Sequence, residues 1–223
     1  MIDADIDLVL LRSGLDVQLA RADRLADRGL PVLNDPGAHR RAQDKLGQAT
    51  VFLAAGVPHP RTAGIGHGIL KTDRELVAKP RRGSSGLGVH LIGQSAVGLA
   101  LERDEVVQER IVGATEYRVT VVGGRAVAWA EKIPAEGDFR ANLDRGGKMR
   151  PVEPPDGSSE AAATRAVEAL GLDIGGVDLM VGTSGPVVIE VNAATTLHGA
   201  DEDSTKRVLE ALIDLCSSVA GEG

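Results

Sequence analysis

Two strand-like stretches near the C-terminus constrain this chain more than any other feature. Gly176-Val177-Asp178-Leu179-Met180 is followed by Thr183-Ser184-Gly185 and then by Val187-Val188-Ile189-Glu190-Val191-Asn192. Apolar runs so close in sequence pair as a hairpin. A three-residue loop with Gly185 in the left-handed last position pairs Gly182 with Pro186. Counting back sets Asp178 opposite Glu190, with Asn192 two residues on and on the same face. Like charges directly opposite on a sheet repel unless a cation sits between them. Two carboxylates and an amide are hard oxygen ligands, suited to one or two Mg²⁺ ions that also hold phosphates. The competing reading of the same residues is a solvated acidic face.

Upstream, the pattern alternates between strands and helices. Ile6 to Leu11, Asp16 to Arg28 and Leu30 to Leu33 read as one β-α-β unit with Gly29 as the helix stop. Asp35-Pro36 looks like an N-cap followed by proline at the first helical position, and helical pattern runs on to Ala55, where Gly56 ends it. Val77 to Pro80 and Val89 to Ile92 read as strands around a Gly-rich loop, followed by a helix over Gln94 to Leu101 and a strand from Val106 to Ile111. Glu116 to Val122 and Arg125 to Ile133 form a hairpin through Gly123-Gly124. Ser158 caps a helix to Leu170, Pro151 to Gly157 is linker-like, and a last helix spans Asp203 to Val219.

Composition removes whole classes. Twenty-five basic against 32 acidic residues give a net charge of −7, and aromatics are 2% of the 223 residues, which argues against a nucleic-acid binder. No stretch approaches the roughly 20 apolar residues of a membrane span, and the acidic start is not that of a signal peptide. Cys216 is the only cysteine, so a disulfide framework and a Cys-rich zinc site are excluded. A cytoplasmic protein handling small molecules is the expectation.

The loop Gly83-Ser84-Ser85-Gly86-Leu87-Gly88 lets backbone N–H groups converge on an anion, although a plain hairpin turn explains it as well. Lys79 just before it could reach the same phosphates. The run Phe139-Arg140-Ala141-Asn142-Leu143 stands out because Arg140 and Asn142 flank a short apolar pattern, but the residues alone do not set Arg140 or Arg118 above the other arginines. No Ser-His-Asp or Cys-His arrangement can be argued from spacing.

In their order these motifs resemble the ATP-grasp ligases, most closely the RimK-like branch. The matching text includes Asp44-Lys45-Leu46, Val77-Ala78-Lys79-Pro80, the Gly83 to Val89 loop, Val107-Gln108-Glu109-Arg110-Ile111, Glu116-Tyr117-Arg118, Phe139 to Leu143, Gly176-Val177-Asp178-Leu179 and Glu190-Val191-Asn192. The resemblance implies an α/β (α+β) ATP-grasp fold, two lobes with ATP between β-sheet layers. It implies a β-α-β segment over 1–35, a small lobe over 36–110 and a large lobe with the Mg²⁺ site over 111–223. Lys45 and Lys79 would contact phosphates, and Gly83, Ser84, Ser85, Gly86 and Gly88 would fold over them. Gln108, Glu109 and Ile111 would form the adenine edge, and Glu116 would bind ribose. Asp178, Glu190 and Asn192 would hold Mg²⁺, with Mn²⁺ as a substitute. Arg118, Arg140 and Asn142 would serve the transferring phosphoryl group, with Arg145 close by.

The implied activity is amide-bond formation between a carboxylate and an amine on an amino acid, peptide or carrier-borne substrate, through an acyl phosphate. Two departures stand against the family pattern. Ala193 to Gly199 replaces the usual Ser-Pro and Gly after the metal strand, and one β-α unit precedes Val32 where relatives have several. The second departure supports an alternative, an ATP-binding subunit whose substrate wall comes from a partner chain or a second copy.

Overall fold

The computed structural model describes residues 6–64, 72–83, 86–93, 97–138, 140–141, 143 and 146–221. At the front, β1 (Val9–Leu10) and β2 (Val32–Leu33) run parallel around α1 (Asp16–Ala26), so the β-α-β unit forms with strands shorter than the apolar runs suggest. Two helices follow, α2 (Pro36–Gln43) and α3 (Lys45–Ala55). Asp35 caps α2 by accepting from the Ala38 N–H at 2.7 Å, with proline at the first position as expected. Asp44 caps α3, accepting from Leu46 and Gly47, and α3 stops at Gly56 with φ +65°.

A four-stranded antiparallel sheet comes next, with order β3 (Thr62–Ala63), β6 (Glu105–Glu109), β4 (Leu76–Pro80), β5 (His90–Ile92). Its helix α4 is described from Val97 to Glu102; the expected start at Gln94 lies outside the described residues. The second sheet has five antiparallel strands, in the order β11 (Gly185–Asn192), β10 (Ile174–Gly182), β7 (Thr115–Val122), β8 (Arg125–Ile133), β9 (Lys148–Pro151). Strand β9 precedes the Pro-rich stretch and has no alternating apolar pattern to announce it. Helix α5 (Gly157–Ala169) is capped by Asp156, which accepts from the Ser159 N–H at 2.7 Å, and not by Ser158. Ser158 already lies inside the helix, where its hydroxyl donates to the Asp156 carboxylate. Helix α6 (Glu202–Gly221) closes the chain. Among the described residues no helix is long and apolar enough to cross a membrane.

The main core lies between one face of the five-stranded sheet (Val119, Val121, Val177, Leu179, Val188) and helices α2, α3 and α5. Alanines at 162, 163 and 166 let α5 settle close to the sheet, and Phe52 fills the space under α3. With so few aromatics, small side chains and close approach replace bulk.

Strand β11 is a sheet edge, and an edge needs cover. Gln48 supplies part of it, donating to the Val191 carbonyl at 2.9 Å and accepting from the Val191 N–H at 2.8 Å. Residues just past α3 supply the rest. The Val188 N–H donates to the Pro58 carbonyl at 2.8 Å, and His59 Nδ1 lies 2.7 Å from the Val188 carbonyl. Asn34 ties the front segment to the same sheet. Its amide donates to Ile174 and Ala193 carbonyls and accepts from the Asp173 and Ile174 N–H groups.

Burial pushes the His59 imidazole down to about 4, and Lys79 adds to that shift against the raising effect of the Val188 bond. Below pH 6.5 an unfolded chain therefore binds a proton at this ring that the folded chain refuses until about pH 4. Stability should fall by about 3 kcal/mol across that window from this group alone. Urea unfolding at pH 7 and pH 4.5 tests it: His59→Phe should flatten the pH dependence, and an unchanged slope would exclude His59 as its source.

Candidate active site

The two larger sheets face each other across a cleft. Val77 and Lys79 of β4 and Gln108 and Glu109 of β6 form one wall. Glu116, Lys132, Asp178 and Glu190, from four strands of the five-stranded sheet, form the other. The Gly-rich loop reaches the rim through Gly83, Gly86 and Leu87.

The hairpin that carries Asp178 and Glu190 arrives at the expected pairing by an unexpected route. Its turn has two residues, since Gly182 pairs with Gly185 and not with Pro186. That register alone would leave Asp178 opposite Ile189. A β-bulge after Leu179–Val188 takes up the extra residue and restores Asp178 opposite Glu190. The bulge also turns both Ile189 and Glu190 to the cleft. Asn192 stands beside them, its Nδ2 3.5 Å from Glu190 Oε1.

Asp178, 4% exposed, is the hub of the charge network. Arg118 Nε donates to its Oδ1 at 2.8 Å and Nη2 to its Oδ2 at 3.2 Å. Lys132 Nζ lies 3.3 Å from the same Oδ1 and also pairs with Glu116. Burial would raise the Asp178 carboxyl, but Arg118 and Lys132 overcome it and hold the group below the ordinary carboxylate range. Glu116 goes the other way: burial raises it and Lys132 only partly offsets that. Lys45 Nζ lies 3.5 Å from Glu190 Oε2 and donates to the Gly83 carbonyl at 2.7 Å, which ties the loop to the floor. Burial lowers the Lys79 ammonium, Glu190 opposes that shift and Lys45 adds to it. Arg140 pairs with Asp138 at 2.9 Å and donates to the Val89 carbonyl at 2.9 Å, on the loop side of the cleft.

Of the residues the sequence singles out, Lys45, Lys79, Gly83, Gly86, Gln108, Glu109, Ile111, Glu116, Arg140, Asp178 and Glu190 line this one cleft. Arg118 lies behind Asp178 and opens onto a small hollow with Thr120 and His198. Gly88 has φ +72° and packs where a Cβ would meet Pro80 at 2.7 Å, so its role is to let the loop fold back. Ser84, Ser85, Asn142 and Arg145 lie outside the described residues. Sequence reasoning missed Lys132, the cation shared by two carboxylates. It also missed the apolar lining, Met180, Ile189 and Leu87, suited to the faces of a flat ring. Gly176 carries a further constraint, because a Cβ there would meet Thr195 Oγ1 at 2.1 Å and Arg118 Nη1 at 3.0 Å.

Asp178, Glu190 and Asn192 offer only hard oxygens on adjacent strands, and the cations around Asp178 keep it ionised, which fits Mg²⁺. Among the described residues no cluster of three or more His, Cys, Asp and Glu could hold a metal, so the set reaches three only through the Asn192 amide.

Similarity to known proteins agrees with this geometry. A RimK-like ATP-grasp domain matches residues 44–215. The chain belongs to the RimK-like ATP-grasp family. It is 33% identical over 218 residues to a probable alpha-L-glutamate ligase of Mannheimia succiniciproducens, covering 90% of this chain and 73% of that one. Against the probable alpha-L-glutamate ligase of Klebsiella pneumoniae the identity is 37% over 186 residues, covering 76% of this chain and 61% of the relative. Among solved structures, D-alanine–D-alanine ligase from Bacillus anthracis complexed with ATP superposes with a TM-score of 0.73 at 20% identity, covering 98% of this chain and 81% of that one. A RimK domain ATP-grasp protein from Sphaerobacter thermophilus gives 0.66 at 21%, covering 92% and 80%. The fold is therefore ATP-grasp, as the ordered motifs of this RimK-like chain imply.

Proposed function

We propose that this RimK-like chain is an ATP- and Mg²⁺-dependent carboxylate–amine ligase that forms an amide or peptide bond on an amino acid or peptide. The observation that carries the reading is one cleft that gathers Lys45, Lys79 and Lys132 with Glu116, Asp178 and Glu190 beneath a glycine-rich rim. Such a site places cations for phosphates and oxygens for a divalent ion within reach of each other. In this reading Lys45 and Lys79 hold phosphates and the 83–88 loop covers them. Gln108, Glu109 and Ile111 receive the adenine, and Glu116 receives the ribose. Asp178, Glu190 and Asn192 would hold Mg²⁺, which neutralises phosphate charge when bound.

The reaction that follows joins two substrates by way of an acyl phosphate. A carboxylate oxygen attacks the γ-phosphorus, the bond to the ADP oxygen breaks, and an amine then displaces phosphate from the acyl carbon. Arg118, Arg140 and Asn142 are assigned to the charge on the transferring group, and positioning does most of the remaining work. The division into 1–35, 36–110 and 111–223 is part of the same reading. Relatives named probable alpha-L-glutamate ligase make L-glutamate the first substrate to try.

The test is ADP release across a panel of amino acids and short peptides, followed by mass measurement of products. ADP formation that needs both a carboxylate and an amine, with a product equal to their sum less one water, is the expected outcome. Phosphate retained on an acceptor without condensation would make the chain a kinase and overturn the ligase reading.

A further inference from the structure

The hydrogen bonds beneath the nucleotide edge can be assigned atom by atom. His59 Nδ1 lies 2.7 Å from the Val188 carbonyl, which can only accept, so Nδ1 carries the ring proton. The imidazole is neutral at ordinary pH, so its Nε2 is an acceptor. The Gln108 amide lies 3.0 Å from that Nε2, and only its NH₂ group can donate there. Thr62 agrees. Its hydroxyl donates to the Pro60 carbonyl at 2.8 Å and so receives the second Gln108 proton at 3.0 Å. Both amide hydrogens are thus taken up by His59 and Thr62, and Gln108 Oε1 is left buried without a partner among the described residues. Gln108 is 3% exposed and lines the cleft. A buried acceptor without a donor is costly, and a ligand that brings the donor relieves that cost.

The geometry points to His59 as a positioning residue that locks the Gln108 amide with its oxygen toward the base, so that the cleft selects a purine with an amino group at position 6 over one with a carbonyl. An adenine amino group donates where the six-position oxygen of a guanine or hypoxanthine would meet Oε1 as a second acceptor. His59 touches no nucleotide in this scheme. It spans the two sheets, from the β11 edge to β6, and is held edge-on against Phe52 at 5.2 Å between ring centroids. The inference rests on the proposed ATP site and deepens it.

Calorimetry with ATP, inosine triphosphate and inorganic tripolyphosphate in Mg²⁺ separates the possibilities. The native chain should prefer ATP to inosine triphosphate, and His59→Ala, which frees the amide to turn, should cut that preference about tenfold. Tripolyphosphate, which has no base, should bind both chains alike. Gln108→Leu should lose the same preference, and the His59→Ala/Gln108→Leu double variant should lose no more than Gln108→Leu alone. A His59→Ala chain with the native ATP preference, or a double variant with additive losses, would overturn the proposal. Equal loss for all three ligands would reduce His59 to a structural role and overturn it too. Should His59→Ala fail to fold, ¹⁵N spectra of the native chain decide: a proton on Nδ1 upholds the assignment, and one on Nε2 alone refutes it. A native chain that binds neither ATP nor tripolyphosphate would instead sink the ATP reading beneath it.

Discussion

A Lys79→Met chain should release ADP roughly two to three orders of magnitude more slowly than the native one, the scale on which losing one preorganised charge at a reacting centre is felt. It should also be slightly more stable. Lys79 sits near the end of β4, and its ammonium makes no hydrogen bond or ion pair among the described residues. Burial already presses its ammonium toward the neutral form, and Lys45 presses the same way. Such a cation is held against its own solvation preference, and an apolar side chain of similar volume removes that cost. A gain of about 1 kcal/mol is the expectation, since Lys79 keeps part of its surface exposed and still feels Glu190. Opposite signs for activity and stability mark a residue kept for its ligand. Steady-state ADP release and urea unfolding of the same preparations check both halves. Turnover within tenfold of native would remove Lys79 from the phosphate site, and a large loss of stability would show that its charge has a structural partner.

What the sequence reveals and what it hides divide along a physical line. Local rules were sufficient for Asp35 as a cap, Gly56 as a stop, and the Gly123-Gly124 turn, whose glycines have φ of +54° and +73°. The Asp178–Glu190 pairing was legible too, although the loop is one residue shorter than its count suggests and a bulge corrects the difference. The same kind of irregularity hid Lys132. Counting from the Val122–Arg125 pair sets Glu131 opposite Glu116, but a bulge after Thr120 shifts the register and brings Lys132 there instead. A bulge has no fixed residue signature in either hairpin, so alternation alone reads the face wrongly beyond it. Gln48, Asn34 and His59 were invisible for a different reason. Each has a partner more than 100 residues away, and a buried amide or imidazole in a helix or loop carries no pattern that names it.

Lys132 therefore bears on the last and most discriminating expectation, the behaviour of Asp178→Asn. The substitution keeps the shape of the side chain and removes the anion between Arg118 and Lys132. Two cations then share Glu116, whose carboxyl burial already favours neutral. Breaking a buried ion pair from one side costs about 3–5 kcal/mol, because the partner charge stays behind without compensation. ADP release should vanish in the same variant, since the proposed Mg²⁺ ligand is gone. Lost activity would then be ambiguous between a missing ligand and a damaged fold. Adding Lys132→Met resolves it by removing one of the stranded cations. The double variant should regain about 1–3 kcal/mol relative to the sum of the single changes, the coupling expected of groups in direct contact. It should regain no activity, because an amide and a thioether do not replace a carboxylate at the metal. Urea unfolding of the four chains gives the coupling, and ADP release gives the rest. A double variant that recovers turnover would assign Asp178 to the ion-pair network alone and leave Glu190 and Asn192 to hold the metal without it.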